Sequence, residues 1–317
     1  MTIETKDFLG LEDVSQETIM SILQTGRAMK EILKRRVKKV PTLRGKTIMT
    51  LFYEPSTRTS SSFALAGKRL SADVTNLSMK TSSVVKGESL RDTGKTIEAM
   101  GAEMVIIRHG MPGAPKLLGE TIEARVINAG DGSHEHPTQA LLDLFTVQER
   151  LKRIEGLKVA IIGDIKHSRV ARSNIWGFTR LGAEVKLIGP RTLIPPEFED
   201  LDVEVHNSLD GLLPQLDVVY LLRLQLERQK SGLFPSLQEY RSLYGLTAER
   251  LGELKPEAMI MHPGPMNRGV EIDELAAESG QAVIEEQVTN GVAIGMALLY
   301  LMAGGRRDND EIFNQGS

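Results

Sequence analysis

Short apolar runs alternate with helix-period segments along the chain, and that rhythm sets the first expectation. Ile19, Ile22, Leu23, Met29 and Leu33 share one side of a helix over residues 15–34. Strands are expected at 47–53, 73–77, 104–108 and 125–129, with a helix from 61 to 70 and another from 137 to 151. The second half repeats the pattern, with strands at 158–163, 184–188, 203–206, 217–222 and 258–261. Such alternation predicts an α/β protein of two doubly wound domains, with mostly parallel sheets and helices on both faces. The polar stretch 150–156 ends in Gly156 and marks the expected junction. The domains are then 1–150 and 151–285, with a last helix at about 286–305 packing back on the first. Residues 77–92, rich in Ser, Lys and Gly, read as a mobile loop that leads into a helix from about Ser89.

Composition narrows this picture mainly by exclusion. The 317 residues are 41% hydrophobic and only 4% aromatic, so two domains with aliphatic cores are expected. A net charge of −3 supplies no basic field for nucleic acid, and the basic run at 34–39 reads as a solvated helix end. There is no cysteine, hence no disulfide, no thiolate metal site and no thiol nucleophile. The first residues are acidic and lack the apolar core of a leader, and the apolar stretch 291–304 is shorter than the ~20 residues of a membrane span. A cytoplasmic protein without membrane contact is therefore expected.

In open α/β sheets, ligands bind beyond the carboxyl ends of strands, and six polar clusters fall at such places. Ser56-Thr57-Arg58-Thr59 follows the first strand. Helix-start N–H groups, hydroxyls and a guanidinium fork together suit a phosphate. Ordinary capping needs one hydroxyl, not four residues with an arginine among them. The glycines and the Gly-Lys pair of a Walker loop are missing. Arg108-His109 ends another strand, where Arg108 alone would pass for a solvated end. Next comes His134-Glu135-His136-Pro137-Thr138-Gln139, with Pro137 suited to a first helical turn. His136 then stands at a helix start, where a neutral imidazole donates to a developing oxyanion. The His-x-His spacing also invites a metal, but no further ligand cluster accompanies it. Gly163 to Arg169 is a strand-to-helix turn without the G-x-G-x-x-G of nicotinamide sites, and Arg169 stands where it could clamp a carboxylate. Arg223-Leu224-Gln225 follows the strand expected at 217–222, where a surface ion pair is the plain alternative for Arg223. His262-Pro263-Gly264-Pro265 makes a rigid turn whose carbonyls could accept from ligand N–H groups. Together these clusters describe an interdomain active-site cleft for a multiply anionic substrate pair.

Ser56-Thr57-Arg58-Thr59, His136-Pro137-Thr138-Gln139 and His262-Pro263-Gly264-Pro265 occur in the order found in the aspartate/ornithine carbamoyltransferase family, which the sequence resembles over essentially its whole length. The aspartate branch is the closer. Ornithine enzymes carry His-Cys-Leu-Pro at the last motif, whereas this chain has His-Pro-Gly-Pro and no cysteine. The resemblance implies carbamoyl transfer from carbamoyl phosphate to the amine of L-aspartate, in pyrimidine biosynthesis and without a cofactor. It implies that Ser56, Thr57, Arg58 and Thr59 bind the phosphate. Thr59, Arg108 and His136 would polarise the carbamoyl oxygen. Gln139 and the carbonyls of Pro263 and Gly264 would hold the carbamoyl NH2. Arg169, Arg223 and Gln225 would grip the aspartate carboxylates. Ser82 and Lys86 would enter the site of a neighbouring subunit in a homotrimer with shared active sites. Glu54 resembles a glutamate that bridges the domains to Arg169 and Arg228. Assembly with regulatory chains or a dihydroorotase is compatible with the family.

Overall fold

The computed structural model describes residues 3, 5–78, 87–198, 201–225 and 236–305. Two compact units are present, residues 1–145 with 288–317 and residues 146–287. In the first, α1 (Gln16–Lys34) opens on Ser15, whose hydroxyl accepts the Thr18 N–H at 3.2 Å. Then follow β1 (Thr47–Phe52), α2 (Thr57–Arg69), β2 (Asp73–Ser78), α3 (Leu90–Ala99), β3 (Met104–His109), α4 (Ala114–Gly119), β4 (Arg125–Asp131) and α5 (Pro137–Leu151). The strands form a parallel sheet in the order β2-β1-β3-β4. Helices cover it on both faces, so its strands are near-continuous apolar runs. On one face Met49, Leu51, Val105, Ile107 and Val126 pack with Ile97 and Leu118 of α3 and α4. On the other, α2 sits so close that a Cβ on Gly67 would meet Val74 Cγ2 at 2.5 Å and Ile48 Cδ1 at 3.5 Å.

The second unit contains β5 (Lys158–Ile162), α6 (Arg169–Arg180), β6 (Glu184–Ile188), β7 (Val203–His206), β8 (Val218–Leu221), α7 (Leu237–Tyr244), α8 (Ala248–Leu251), β9 (Met259–Met261) and α9 (Glu274–Ala277). Its parallel sheet has the order β7-β6-β5-β8-β9. The chain passes between units inside α5 and again inside α10 (Ile284–Met302). Within the first unit α10 lies against α1 and α2. A Cβ on Gly26 would come 2.7 Å from Ile294 Cδ1, and one on Gly295 would come 3.2 Å from Ala66 Cβ. Among the described residues no helix is long and apolar enough to cross a membrane.

Two local expectations need correction. The helix expected from residue 61 begins at Thr57, which puts Arg58 and Thr59 in its first turn. The segment expected as loop from residue 77 overlaps β2 at its start, because β2 stays in register with β1 as far as Ser78 opposite Phe52. Ser82 and Lys86 lie outside the described residues, as does Arg228.

Strand order fixes where ligands can be met. In the first sheet the order reverses between β1 and β3, and in the second between β5 and β8. Crevices beyond the carboxyl ends of strands open at such switch points.

Candidate active site

The first unit places three of its polar clusters after β1, β3 and β4, which are adjacent strands. Ser56 is the residue before α2, yet its hydroxyl makes no capping bond. The serines and threonine that open α3, α6, α7 and α8 all fold back to accept a backbone N–H, as Ser15 does in α1. Thr57 and Arg58 are exposed, while Ser56 and Thr59 are half-buried. A helix start with its capping hydroxyl uncommitted and a positive dipole end suits an oxyanion.

Arg108 sits where the register between β3 and β4 shifts, between Ile107 and His109. Such irregularities re-aim a side chain at a strand end. Its Nη1 lies 3.5 Å from His136 Nε2, and its Nε lies 3.4 Å from the Glu54 carboxylate. Glu54 thus has a partner in its own unit that sequence reasoning did not name. His136 is buried, and its Nδ1 is 3.3 Å from the Thr138 hydroxyl. That hydroxyl rotates to serve either tautomer. With the proton on Nδ1, His136 accepts from Arg108. With the proton on Nε2, His136 and Arg108 become two donors aimed at one place, the arrangement an oxygen between them would favour.

The loop that delivers His136 is held by buried carboxylates. Asp131 accepts from Gly113 N–H at 2.8 Å, Asn128 Nδ2 at 2.8 Å and Glu135 N–H at 3.2 Å, and it pairs with His134 Nδ1 at 3.1 Å. Burial pushes the Asp131 carboxyl up, but the bonds from His134, Gly113 and Asn128 outweigh it and hold the group below its usual range. The Asp131 hydrogen bond raises His134 against the opposing effect of burial. Glu135 takes the backbone N–H of Leu11 at 2.9 Å. The side chains of Glu12, His134 and Glu135 come within 4.8 Å of one another, and His136 is not part of that group. The His-x-His pair is therefore divided between two different environments. Gln139 Nε2 donates to Asp143 at 3.0 Å, which leaves its carbonyl oxygen as the end that accepts.

In the second unit the remaining clusters follow β5, β8 and β9, again adjacent strands. Arg169 is the first residue of α6 and is 5% exposed. Arg223 and Gln225 are half-buried, and Gln225 Nε2 donates to the His167 carbonyl at 3.3 Å, bringing that loop beside the turn before Arg169. The turn itself is held by Asp164, fully buried, which pairs with His167 Nδ1 at 2.8 Å. Gly163 has φ +124°, and a Cβ there would stand 2.6 Å from the Tyr240 hydroxyl. His262 Nδ1 accepts the Gly264 N–H at 2.7 Å and so braces the Pro263–Pro265 turn, where Gly264 adopts φ +59°.

Comparison with known proteins gives this arrangement a relation. Residues 6–149 match the carbamoyl-P binding domain of aspartate/ornithine carbamoyltransferases, and residues 155–302 match their Asp/Orn binding domain. The aspartate carbamoyltransferase catalytic subunit of Halothermothrix orenii is 61% identical over 98% of this chain and 99% of its own. That of Moorella thermoacetica is 61% identical over 96% and 99%. Among solved structures, aspartate transcarbamoylase from Trypanosoma cruzi in complex with carbamoyl phosphate and aspartate aligns with TM-score 0.85 at 30% identity, over 93% of this chain and 96% of its own. The catalytic subunit of the M. jannaschii enzyme aligns with TM-score 0.83 at 37% identity, over 96% and 99%. With both family domains matched in chain order and such identity along nearly the full length, the chain belongs to the aspartate/ornithine carbamoyltransferase family and is a carbamoyltransferase.

Proposed function

We propose that this protein transfers the carbamoyl group of carbamoyl phosphate to the amine of L-aspartate, giving N-carbamoyl-L-aspartate and phosphate. The observation that carries the reading is the pairing of two features of the first unit. One is a helix start whose Ser56 leaves its hydroxyl uncommitted. The other is the pairing of half-buried Arg108 with buried His136 after adjacent strands. Relatives with the aspartate name, and a structural neighbour solved with carbamoyl phosphate and aspartate, support the choice of substrates.

In this reading the aspartate amine attacks the carbamoyl carbon and the oxygen gains charge. The carbon–oxygen bond to phosphate then breaks. Ser56, Thr57, Arg58 and Thr59 hold the phosphate as it leaves. Arg108, His136 and Thr59 donate to the oxygen, each donor contributing roughly 3–4 kcal/mol by analogy with measured oxyanion sites. The Gln139 carbonyl, held outward from Asp143, and the Pro263 and Gly264 carbonyls accept from the carbamoyl NH2. Arg169, Arg223 and Gln225 take the two aspartate carboxylates, whose alignment with the carbamoyl group supplies up to ~7–11 kcal/mol. The departing phosphate accepts the amine proton, so no protein base is required. Residues 1–150 then act as the carbamoyl-phosphate domain and 151–285 as the aspartate domain.

Family resemblance extends the proposal to a cytoplasmic homotrimer in which Ser82 and Lys86 complete a neighbour's site, and to service in pyrimidine biosynthesis. The test is formation of phosphate and ureido product from carbamoyl phosphate, with L-aspartate and L-ornithine in parallel and no added metal. Turnover with aspartate alone supports the reading. Turnover with ornithine alone overturns the assignment of Arg169, Arg223 and Gln225.

A further inference from the structure

The turn after β9 and the loop after β8 are joined by one residue that no substrate role accounts for. Asn267 donates its side-chain amide to the carbonyl of Leu224 at 3.2 Å, and Leu224 lies between Arg223 and Gln225. The backbone N–H of Asn267 donates to Glu271 Oε1 at 2.6 Å. Glu271 is 1% exposed, and the same oxygen takes His262 Nε2 at 3.2 Å. His262 accepts the Gly264 N–H at Nδ1, so its proton is on Nε2 and the bond to Glu271 runs from histidine to carboxylate. His262 is 1% exposed and its own N–H donates to Gln287 Oε1 at 3.1 Å, which fixes the ring's backbone as well. Glu271 Oε2 is buried without a hydrogen-bond partner, so both contacts depend on a single oxygen.

This is a latch with an anchored end and a working end. The anchored end is the buried Glu271–His262 pair, which also braces the Pro263–Gly264 turn. The working end is the Asn267 amide on the Leu224 carbonyl. Gln225 then reaches the His167 carbonyl at 3.3 Å, two residues before Arg169. The second-unit segments that carry Arg169, Arg223–Gln225 and Pro263–Gly264 are thereby linked by hydrogen bonds, of which the Asn267–Leu224 and Glu271–His262 contacts involve no substrate-gripping side chain. Misplacement of a binding group by about 1 Å is costly, on the order of 100-fold in rate where alignment matters.

We propose that Asn267, anchored by Glu271, is a positioning residue that sets the placement of the Arg223–Gln225 segment and thereby the affinity for the dicarboxylate substrate. The inference rests on the aspartate reading given above. Asn267→Ala keeps the backbone N–H and removes the amide. It raises the KM for aspartate about tenfold, as expected for loss of alignment and one hydrogen bond. It leaves the KM for carbamoyl phosphate and the melting temperature near wild type. Glu271→Ala removes both contacts and raises the KM for aspartate at least as much. Glu271→Gln puts a carbonyl oxygen where Oε1 stands and an amide where the unpartnered Oε2 stands, so it retains most wild-type affinity. In the Glu271→Ala background, Asn267→Ala adds little, because the anchor is already lost.

Steady-state kinetics with each substrate varied, beside thermal melts, read all of this. If Glu271→Ala does not fold, Asn267→Ala and Glu271→Gln still decide the matter. An Asn267→Ala enzyme with wild-type KM for aspartate overturns the proposal, as does an equal rise in both KM values. A wild-type protein with no turnover of aspartate overturns the functional reading itself, and this proposal with it.

Discussion

Two helix starts, each following the strand at the middle of a switch point, solve the same problem differently. At α2 Ser56 precedes the helix without capping it, and Thr57 and Arg58 are exposed in its first turn. At α6 Ser168 accepts the Ala171 N–H at 3.1 Å, and Arg169 is buried. The first gathers hydroxyls and a guanidinium at a helix end, a set that suits a ligand with several oxygens. The second satisfies its own helix end and offers a guanidinium alone. A phosphate needs donors from several directions, whereas one carboxylate is matched by one planar fork. In the proposed reading the same local topology serves two anions, and the choice between them follows whether the serine caps its helix, as Ser168 does and Ser56 does not.

The largest effects should come from the first unit. Arg58→Ala and His136→Ala should each lower kcat by about 100- to 1000-fold, the range for loss of a donor to developing charge. Steady-state turnover with folding checked by circular dichroism measures this. Full rescue of His136→Ala by imidazole would point instead to a proton-transfer role. Next comes the contrast between the two serines. Ser168→Ala should destabilise the protein by about 1 kcal/mol through loss of a cap. Ser56→Ala should leave thermal stability nearly unchanged while weakening phosphate binding. Equal loss of stability in both variants would remove the distinction between the helix starts.

The smallest effect concerns the loop that carries His136. His134 is raised by the hydrogen bond to Asp131, so its contribution is present below the unfolded histidine pKa and fades as pH rises through the folded value. Asp131 is lowered in spite of burial, so its contribution is present above the unfolded carboxylate pKa and fades as pH falls through the folded value. The pair therefore acts in the mildly acidic window between the two. His134→Ala should cost more stability at pH 5.5 than at pH 9 in denaturant melts. A cost independent of pH would contradict the pairing.

Much of the fold is legible in the chain because it is local. The strand at Lys158–Ile162 is an apolar run bounded by polar residues, and the helix over Gln16–Lys34 shows its period and its Ser15 cap. The helix at Thr57 was expected four residues later. Its first turn is made of hydroxyls and an arginine, which carry no apolar period and read as loop. The short α4 begins after Gly113, with Pro115 in its first turn, and its six residues are too few to show a period. The site clusters are legible because each pairs unusual side chains with a strand end. Their supports are not. Asp143 behind Gln139, Thr138 behind His136 and Asn267 across to Leu224 act through folded geometry, and a lone polar residue gives no sign of its partner. Glu54 shows the same limit, since its 3.4 Å approach to Arg108 spans more than fifty residues of sequence that only the β1–β3 pairing closes.

The most direct test is the equilibrium binding of inorganic phosphate to the wild type, Arg58→Ala and Arg169→Ala, with no second substrate present. The account predicts that Arg58→Ala loses at least about tenfold in affinity, as expected for a lost charge-assisted hydrogen bond of ~1.5–3 kcal/mol, while Arg169→Ala binds like the wild type. Phosphate binding that survives Arg58→Ala and is lost in Arg169→Ala would contradict the assignment of the two helix starts.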